Sequence, residues 1–493
     1  HSASATLCGM RKAVVVAALV LVCVASFVVA RPSAQRGQGA GGGQGAGPNR
    51  PYLKVDGAVL ALTHVRVIDG TGAPAKTDQT VVLRDGKIAA MGPSASTPAP
   101  AGATVIDATG KSVMPGLVML HEHLYYPTGP GVYGQLGASF VRLYLAGGVT
   151  TMRTAGNENG FMDMALARGT EDGSIVGPAI DATAPYLNGP RPGSLQMTAL
   201  KGPDDARRHV NYWADQGATS FKAYMQITRA DLKASIDEAH KRGLKVTGHL
   251  CSVTLGEAAD MGIDNLEHGF AAATDFYATK QPDVCPGQTQ GQQSVVAVDI
   301  NSAPVQALIK KLIDKKVALT STLTVFETFT PGRPLPPGLD VLVPDLKTQF
   351  ETSYQRVQNS QTSVYKQLFP KMMALELAFY KAGGVLVAGT DPTGSGGVIP
   401  GYSNQRQIEL LVEEGLTPLE AIKVSTWNGA KYLGRESAIG SIAVGKQADL
   451  MLVTGDPSTT IADVRKVDTV FRKGIAFDPE KLIASVKGKM GIW

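Results

Sequence analysis

At 493 residues, with 44% hydrophobic and 18% charged side chains, the chain is long enough for one large domain and a smaller one, and too apolar to be disordered throughout. Its formal net charge of +5 is modest for this length, and Lys and Arg are interspersed with Asp and Glu rather than gathered in blocks, which argues against nucleic acid as a partner.

Residues 1–9, HSASATLCG, lack a starting Met and are set aside from the fold reading. From residue 10 onward, MRKAVVVAALVLVCVASFVVA has a basic start at Arg11 and Lys12, an apolar run, and Val28 and Ala30 at the −3 and −1 positions of a cut after Ala30. Residues 1–30 therefore read as a signal peptide, and the expected location is periplasmic or extracellular, with no membrane association after cleavage. A retained anchor is the alternative, although the run is slightly short for a hydrocarbon core of about 30 Å. If Cys8 and Cys23 leave with the leader, Cys251 and Cys285 remain as one possible disulfide in an oxidising compartment. One buried thiol and one loop thiol is the other reading of that pair.

Residues 31–50, RPSAQRGQGAGGGQGAGPNR, hold no aromatic or aliphatic side chain larger than Ala and predict a flexible tether. From residue 58 to about 114 the apolar pattern has period two, with Asp85-Gly86 between two Val/Ile runs as a hairpin signal. A similar pattern returns in GSIAVGKQADLMLVTGD and VDTVFRKGIAFD. Segments 51–114 and 436–493 are therefore expected to pair into one small β-sandwich domain.

Between them, over 115–435, short apolar runs (GLVMLHEH, VTTMRTA, AIDATAPYL, TSFKAY, LKVTGHL, IDNLEHG, VALTSTL, VLVAGTD) alternate with helical stretches. Several of those helices close on a glycine: Gly217, Gly243, Gly262 and Gly384. Eight strands alternating with helices predict an α/β fold, a (β/α)8 TIM barrel. Two Pro- and Gly-rich loops, 271–302 and 325–348, account for the excess length and fall on the face where such barrels bind substrate.

The chain has eight histidines. His64, His209 and His240 sit in an ordinary strand and ordinary helices and read as structural. His1 falls among the residues set aside, and the other four cluster in prediction: His121 and His123 close the first strand, His249 the fifth and His268 the sixth, while Lys222 closes the fourth and Asp391 the eighth. In a strand, residues i and i+2 share a face, so His121 and His123 project together and Glu122 points away. Lys222 is the sharpest oddity, because a buried ammonium must be paired, neutralised or modified. A carbamate formed with CO2 would answer it, as an anion with two oxygens able to bridge two metal ions. Convergence of all six at one rim predicts a metal site. Tyr224, two residues beyond Lys222, could hydrogen-bond a substrate carboxylate or simply pack. Arg153, at the end of the second strand, could bind a carboxylate or anchor the strand through an ion pair. Tyr125 and Tyr126 are expected pocket wall.

The ordered set VMPGLVMLHEH, Lys222, VTGHL, LEHG and AGTD, followed by TPLEAIKVSTWNGAKYLG and GSIAVGKQADLMLV, resembles the amidohydrolase superfamily of metal-dependent hydrolases over nearly all of residues 55–475. Within it the chain is most similar to the binuclear branch with a bridging carboxylated lysine, near prolidase-like and carboxypeptidase-like dipeptidases and imidazolonepropionase-related members. The resemblance implies that His121, His123 and Asp391 hold a buried metal, that His249 and His268 hold an outer one, and that Lys222 bridges them. Donors of this type suit two Zn2+ ions, with manganese, iron or nickel open. It further implies hydrolysis of an amide bond by hydroxide generated between the metals, with Asp391 as base and then acid. The expected substrate is a small molecule such as a dipeptide or N-acyl amino acid. A cyclic amide or lactone is the alternative, a metal-free scaffold a remoter one, and a homo-oligomer is the implied state.

Overall fold

The computed structural model describes residues 47–129, 131–190, 193–194 and 196–491. The expected leader over 1–30 and the tether as far as residue 46 lie outside the described residues. Eight short parallel strands carry the middle of the chain: β1 (Leu117–Glu122), β2 (Val149–Thr154), β3 (Ala179–Asp181), β4 (Ser220–Ala223), β5 (Lys245–Gly248), β6 (Asn265–Glu267), β7 (Ala318–Ser321) and β8 (Leu386–Ala388). They hydrogen-bond as a three-stranded sheet, β3-β2-β1, and a five-stranded sheet, β4-β5-β6-β7-β8.

The two sheets meet at both seams. Parallel bridges Thr183↔Ser220 and Leu187↔Ala223 tie the β3 side to β4. At the other seam the carbonyl of His121 accepts from the amides of Thr390 and Asp391, each at 3.0 Å. The architecture is thus a TIM-barrel-like α/β fold whose seams are bridged locally rather than by a full ladder. Gly389 is required at the second seam, because a Cβ there would collide with the backbone of His121.

The connecting helices start and stop where local chemistry directs. Pro203–Gln216 opens on Pro at its first position and Asp204 and Asp205 in its first turn, and closes on Gly217 at φ 104°. Leu255–Met261 begins with a capping box: Thr254 Oγ1 accepts from Glu257 N, and the Glu257 carboxylate accepts from Thr254 N. The stop after Tyr365–Lys381 differs from expectation. The left-handed residue is Gly383 (φ 96°), while Gly384 is needed because a side chain there would meet the ring of Phe379. The two long loops also carry more structure than their composition predicts, including helices Gln288–Ala297 and Leu323–Thr328.

Strands of the two terminal segments pair with each other, with Leu450↔Pro115 and Leu452↔Val113 in antiparallel register. Hydrogen bonding joins their strands into one nine-stranded sheet rather than two, with Thr104–Asp107 branching from Val59–Val67. Leu60, Leu62, Val81, Val113, Leu452 and Phe471 fill its core. The hairpin at Asp85-Gly86 has φ of 51° and 73°, the positive pair that a two-residue turn of matching twist needs.

Candidate active site

The strand ends deliver the six singled-out side chains to one cavity of about 320 Å³, which His121, His123, Lys222, His249, His268 and Asp391 all border. Five of the six are buried, from His121 at 1% exposed to Asp391 at 8%, and His249 is half-buried. His268 and Asp391 adopt left-handed backbone, φ 66° and 59°. Non-glycine residues rarely do so, and the geometry re-aims each side chain from strand end into cavity.

Three imidazoles are set alike, each with Nδ1 held by a hydrogen-bond partner. His121 Nδ1 lies 2.7 Å from Glu267 Oε2, His123 Nδ1 3.1 Å from the Gly156 carbonyl, and His268 Nδ1 2.7 Å from Thr322 Oγ1. Their Nε2 atoms consequently face Asp391, at 3.7 Å, 3.3 Å and 3.8 Å. Fixing one ring nitrogen by a hydrogen bond while freeing the other is how a metal-ligating imidazole is set. The ring of His249 stands 4.4 Å from that of His268, centroid to centroid, and 5.1 Å from Tyr224.

Electrostatics suit cation binding. Burial pushes His121 down to about 4 and His249 to about 3, and holds His268 well below its ordinary value, so the lone pairs are available at neutral pH. Burial opposes ionisation of Asp391, but His121, His123 and His268 around it hold its carboxyl well below the usual range. His121, His123 and Asp391 each offer a donor atom within 4.8 Å of the others and could hold a metal ion. Burial brings Lys222 down to about 8; among the described residues the one carboxylate within ion-pairing reach is Glu267, at 4.0 Å.

Glu267 escaped the sequence reading. Besides His121, it accepts from Arg153 Nη2 at 2.7 Å and from Thr247 Oγ1. Burial alone would raise it, yet Lys222, His121 and Arg153 hold it well below the carboxylate range. This corrects the expectation for Arg153 as a substrate-binding residue. Its guanidinium is 1% exposed beneath the cavity, where Nε donates to the Leu120 carbonyl at 2.8 Å and Nη2 also to Asn265 Oδ1 at 3.0 Å. Its job is to anchor β1, β2 and β6 to one another. Only the adjacency of Glu267 to His268 in LEHG could have hinted at this.

Glu122 points away from the cavity, as the alternation requires, and accepts from Asn404 Nδ2 at 2.9 Å and Thr390 Oγ1. Burial drives it up to about 8. It thereby fixes Thr390, the neighbour of Asp391. Tyr125 and Tyr224 do border the cavity, whereas the Tyr126 hydroxyl turns away to accept from the Gly397 amide at 2.7 Å. Tyr125 stacks on His123 at 4.6 Å between ring centroids, and its hydroxyl bonds that of Tyr186, another residue the sequence did not single out. Cys251 and Cys285 are disulfide-bonded, with Cα atoms 4.9 Å apart. The bond ties Cys251, two residues beyond His249, to Cys285, whose neighbours Pro286 and Gly287 form cavity wall.

Residues 362–476 match the sequence profile of the amidohydrolase family. Adenine deaminase 3 of Rhizobium meliloti (strain 1021) is 23% identical over 385 residues, 76% of this chain and 51% of that protein. The chain thus spans about half the length of the curated adenine deaminases it matches along most of its own. A solved structure from Bifidobacterium longum assigned to a prolidase superposes with a TM-score of 0.65 at 24% identity, covering 87% of this chain and 98% of that one. A Xaa-Pro dipeptidase with bound methionine in its active site gives a TM-score of 0.64 at 18% identity, covering 85% and 100%. These likenesses establish the shared fold.

Proposed function

Starting from a chain that belongs to the amidohydrolase superfamily, we propose that it is a metal-dependent hydrolase of carbon–nitrogen bonds whose active site is the cavity between His121 and Asp391. The observation that carries this reading is the common aim of three Nε2 atoms at Asp391, each imidazole locked by its other nitrogen. In the full form of the reading, His121, His123, His249, His268 and Asp391, together with a carboxylated Lys222, would hold two divalent cations, Zn2+ by donor type. Bound there, the cations would supply Lewis acidity toward the scissile carbonyl and acidify water. The strands then close as a (β/α)8 barrel over 115–435, and the terminal sheet of 51–114 and 436–493 folds on its own core as the smaller domain.

The chain's own residues divide the remaining work. Asp391 takes a proton from the attacking water and returns it to the leaving nitrogen. Thr393 Oγ1 donates to Asp391 Oδ1 at 2.7 Å, which leaves Oδ2 for that transfer. Lys222 is primed for carboxylation because burial leaves a sizeable fraction neutral near pH 8. Tyr224 and Tyr125 wall the cavity and orient the acyl group.

The substrate we favour is a dipeptide or N-acyl amino acid, supported by the likeness to prolidase structures. The curated relatives support a second reading, hydrolytic deamination of an aminopurine. A cyclic amide or lactone is the third class. The Cys251–Cys285 bond supports export to an oxidising compartment.

Metal analysis of the purified protein, followed by turnover of dipeptides, N-acyl amino acids, adenine, hydantoins and lactones, tests the reading. Two metals per chain and turnover in the first two classes are expected. Asp391→Asn should abolish turnover with metal largely retained, and Lys222→Ala should lose metal. A metal-free protein inert to every class overturns the assignment.

A further inference from the structure

The cavity is charged unevenly. Among the described residues bordering it, the ionisable carboxylates and amines are Lys222, Asp391 and Glu158. The first two belong to the centre already described, which leaves Glu158 without a role. It follows β2 in the segment TAGNENG. Its Oε1 accepts from Ser194 Oγ at 2.9 Å, while its Oε2 is buried and has no hydrogen-bond partner among the described residues. A carboxylate oxygen removed from water without a partner is costly, and burial accordingly raises Glu158 despite the Ser194 bond.

The surroundings are aromatic. Tyr125 and Tyr186 join through their hydroxyls, the rings of Tyr186 and Tyr224 lie 4.9 Å apart, and those of Tyr125 and Tyr133 5.1 Å apart. The four phenol rings thus form a continuous aromatic wall in the cavity that Glu158 also borders. Neutral aromatic faces combined with a single acid form a cage for an organic cation.

We propose that Glu158 and the Tyr125, Tyr133, Tyr186 and Tyr224 cluster form a subsite for a positively charged amino group of the substrate. The inference rests on the reading of this cavity as the site of amide hydrolysis. It narrows the substrate class to amides bearing a free ammonium, and so favours an unblocked dipeptide over its N-acylated counterpart. No second lysine or arginine borders the cavity among the described residues, so the handle that this part of the site recognises is cationic and not the substrate's carboxylate.

Equilibrium binding of benzylammonium and of benzyl alcohol, a neutral match in shape, measured by ligand-detected NMR on the full chain, tests the subsite independently of turnover. The ammonium should bind at least about tenfold more tightly. Glu158→Gln, which keeps an acceptor for Ser194, should erase that preference while leaving the alcohol unaffected. Tyr133→Leu should reduce it without touching the acid. Equal binding of the two probes, absence of saturable benzylammonium binding, or an undiminished preference in Glu158→Gln overturns the proposal. In a parallel assay, free dipeptides should exceed their N-acetyl forms in kcat/KM by a comparable factor. If no amide is turned over while the ammonium preference holds and depends on Glu158, the hydrolase reading falls and the cation subsite stands.

Discussion

Two buried acidic sites in this molecule have opposite fates. Glu267, at the end of β6, is ringed by Arg153, His121 and Thr247 and stays ionised well below the carboxylate range. Glu376 and Glu414, on helices Tyr365–Lys381 and Tyr402–Glu414, are also buried, but no positively charged group compensates either carboxyl, and the Ser321 hydroxyl is the donor beside Glu376. Burial lifts Glu376 to about 8, and burial together with the charge of Glu376 lifts Glu414 to about 10. Depth alone therefore does not decide the charge of a carboxyl; the donors aimed at it do.

The contrast is sharpest if the partnered acid is neutralised. Glu267→Gln leaves Arg153 buried without its counter-ion and should cost about 3–5 kcal/mol in chemical denaturation. A loss under 1 kcal/mol would mean that water reaches Arg153 and that the pair is not the anchor described. The two sites should also tilt stability in opposite directions with pH. The folded state holds Glu267 below its unfolded value, so its contribution is present above pH 4.5 and fades as pH falls toward the folded value. Glu376 is raised in the folded state, so its contribution is complete below pH 4.5 and is lost as pH climbs through about 8. Glu376→Gln should accordingly flatten the decline between pH 5 and 9 and gain on the order of 1 kcal/mol at the alkaline end. An unchanged slope would show that Glu376 is already solvated. The smallest effect belongs to an exposed pair: Lys310→Ala breaks the helical ion pair with Asp314 and should cost no more than ~0.5 kcal/mol. A larger cost would undo the ranking by burial.

Much of this arrangement is legible in the amino-acid order. Alternating apolar runs and glycine stops mark the eight strands, and the rare side chains fall where those runs end, so their meeting at one rim follows from parallel strands. Asp85-Gly86 names its own turn. What stays hidden is whatever depends on angle around the ring. Arg153 and Glu267 sit on β2 and β6, 114 positions apart, and nothing local shows that their side chains meet under the cavity floor. For the same reason Arg153 looks as suited to substrate as to structure until its partners are seen. Glu158 hides in a loop whose polar composition promises only a turn, and the tyrosines beside it come from the segments that follow three different barrel strands. In the terminal segments, period-two patterning marks buried faces but does not say whether the strands bond as one sheet or two.

The carbonyl of His121 receives amides from Thr390 and Asp391, and Ser112 and Val113 lie opposite Val453 and Leu452. During synthesis, then, the early strands must wait with open edges until several hundred further residues have left the ribosome. Such long-delayed closure slows folding and exposes sticky surface in the meantime. Production of this protein should respond more to chaperone supply and a slowed rate of translation than to any single stabilising substitution.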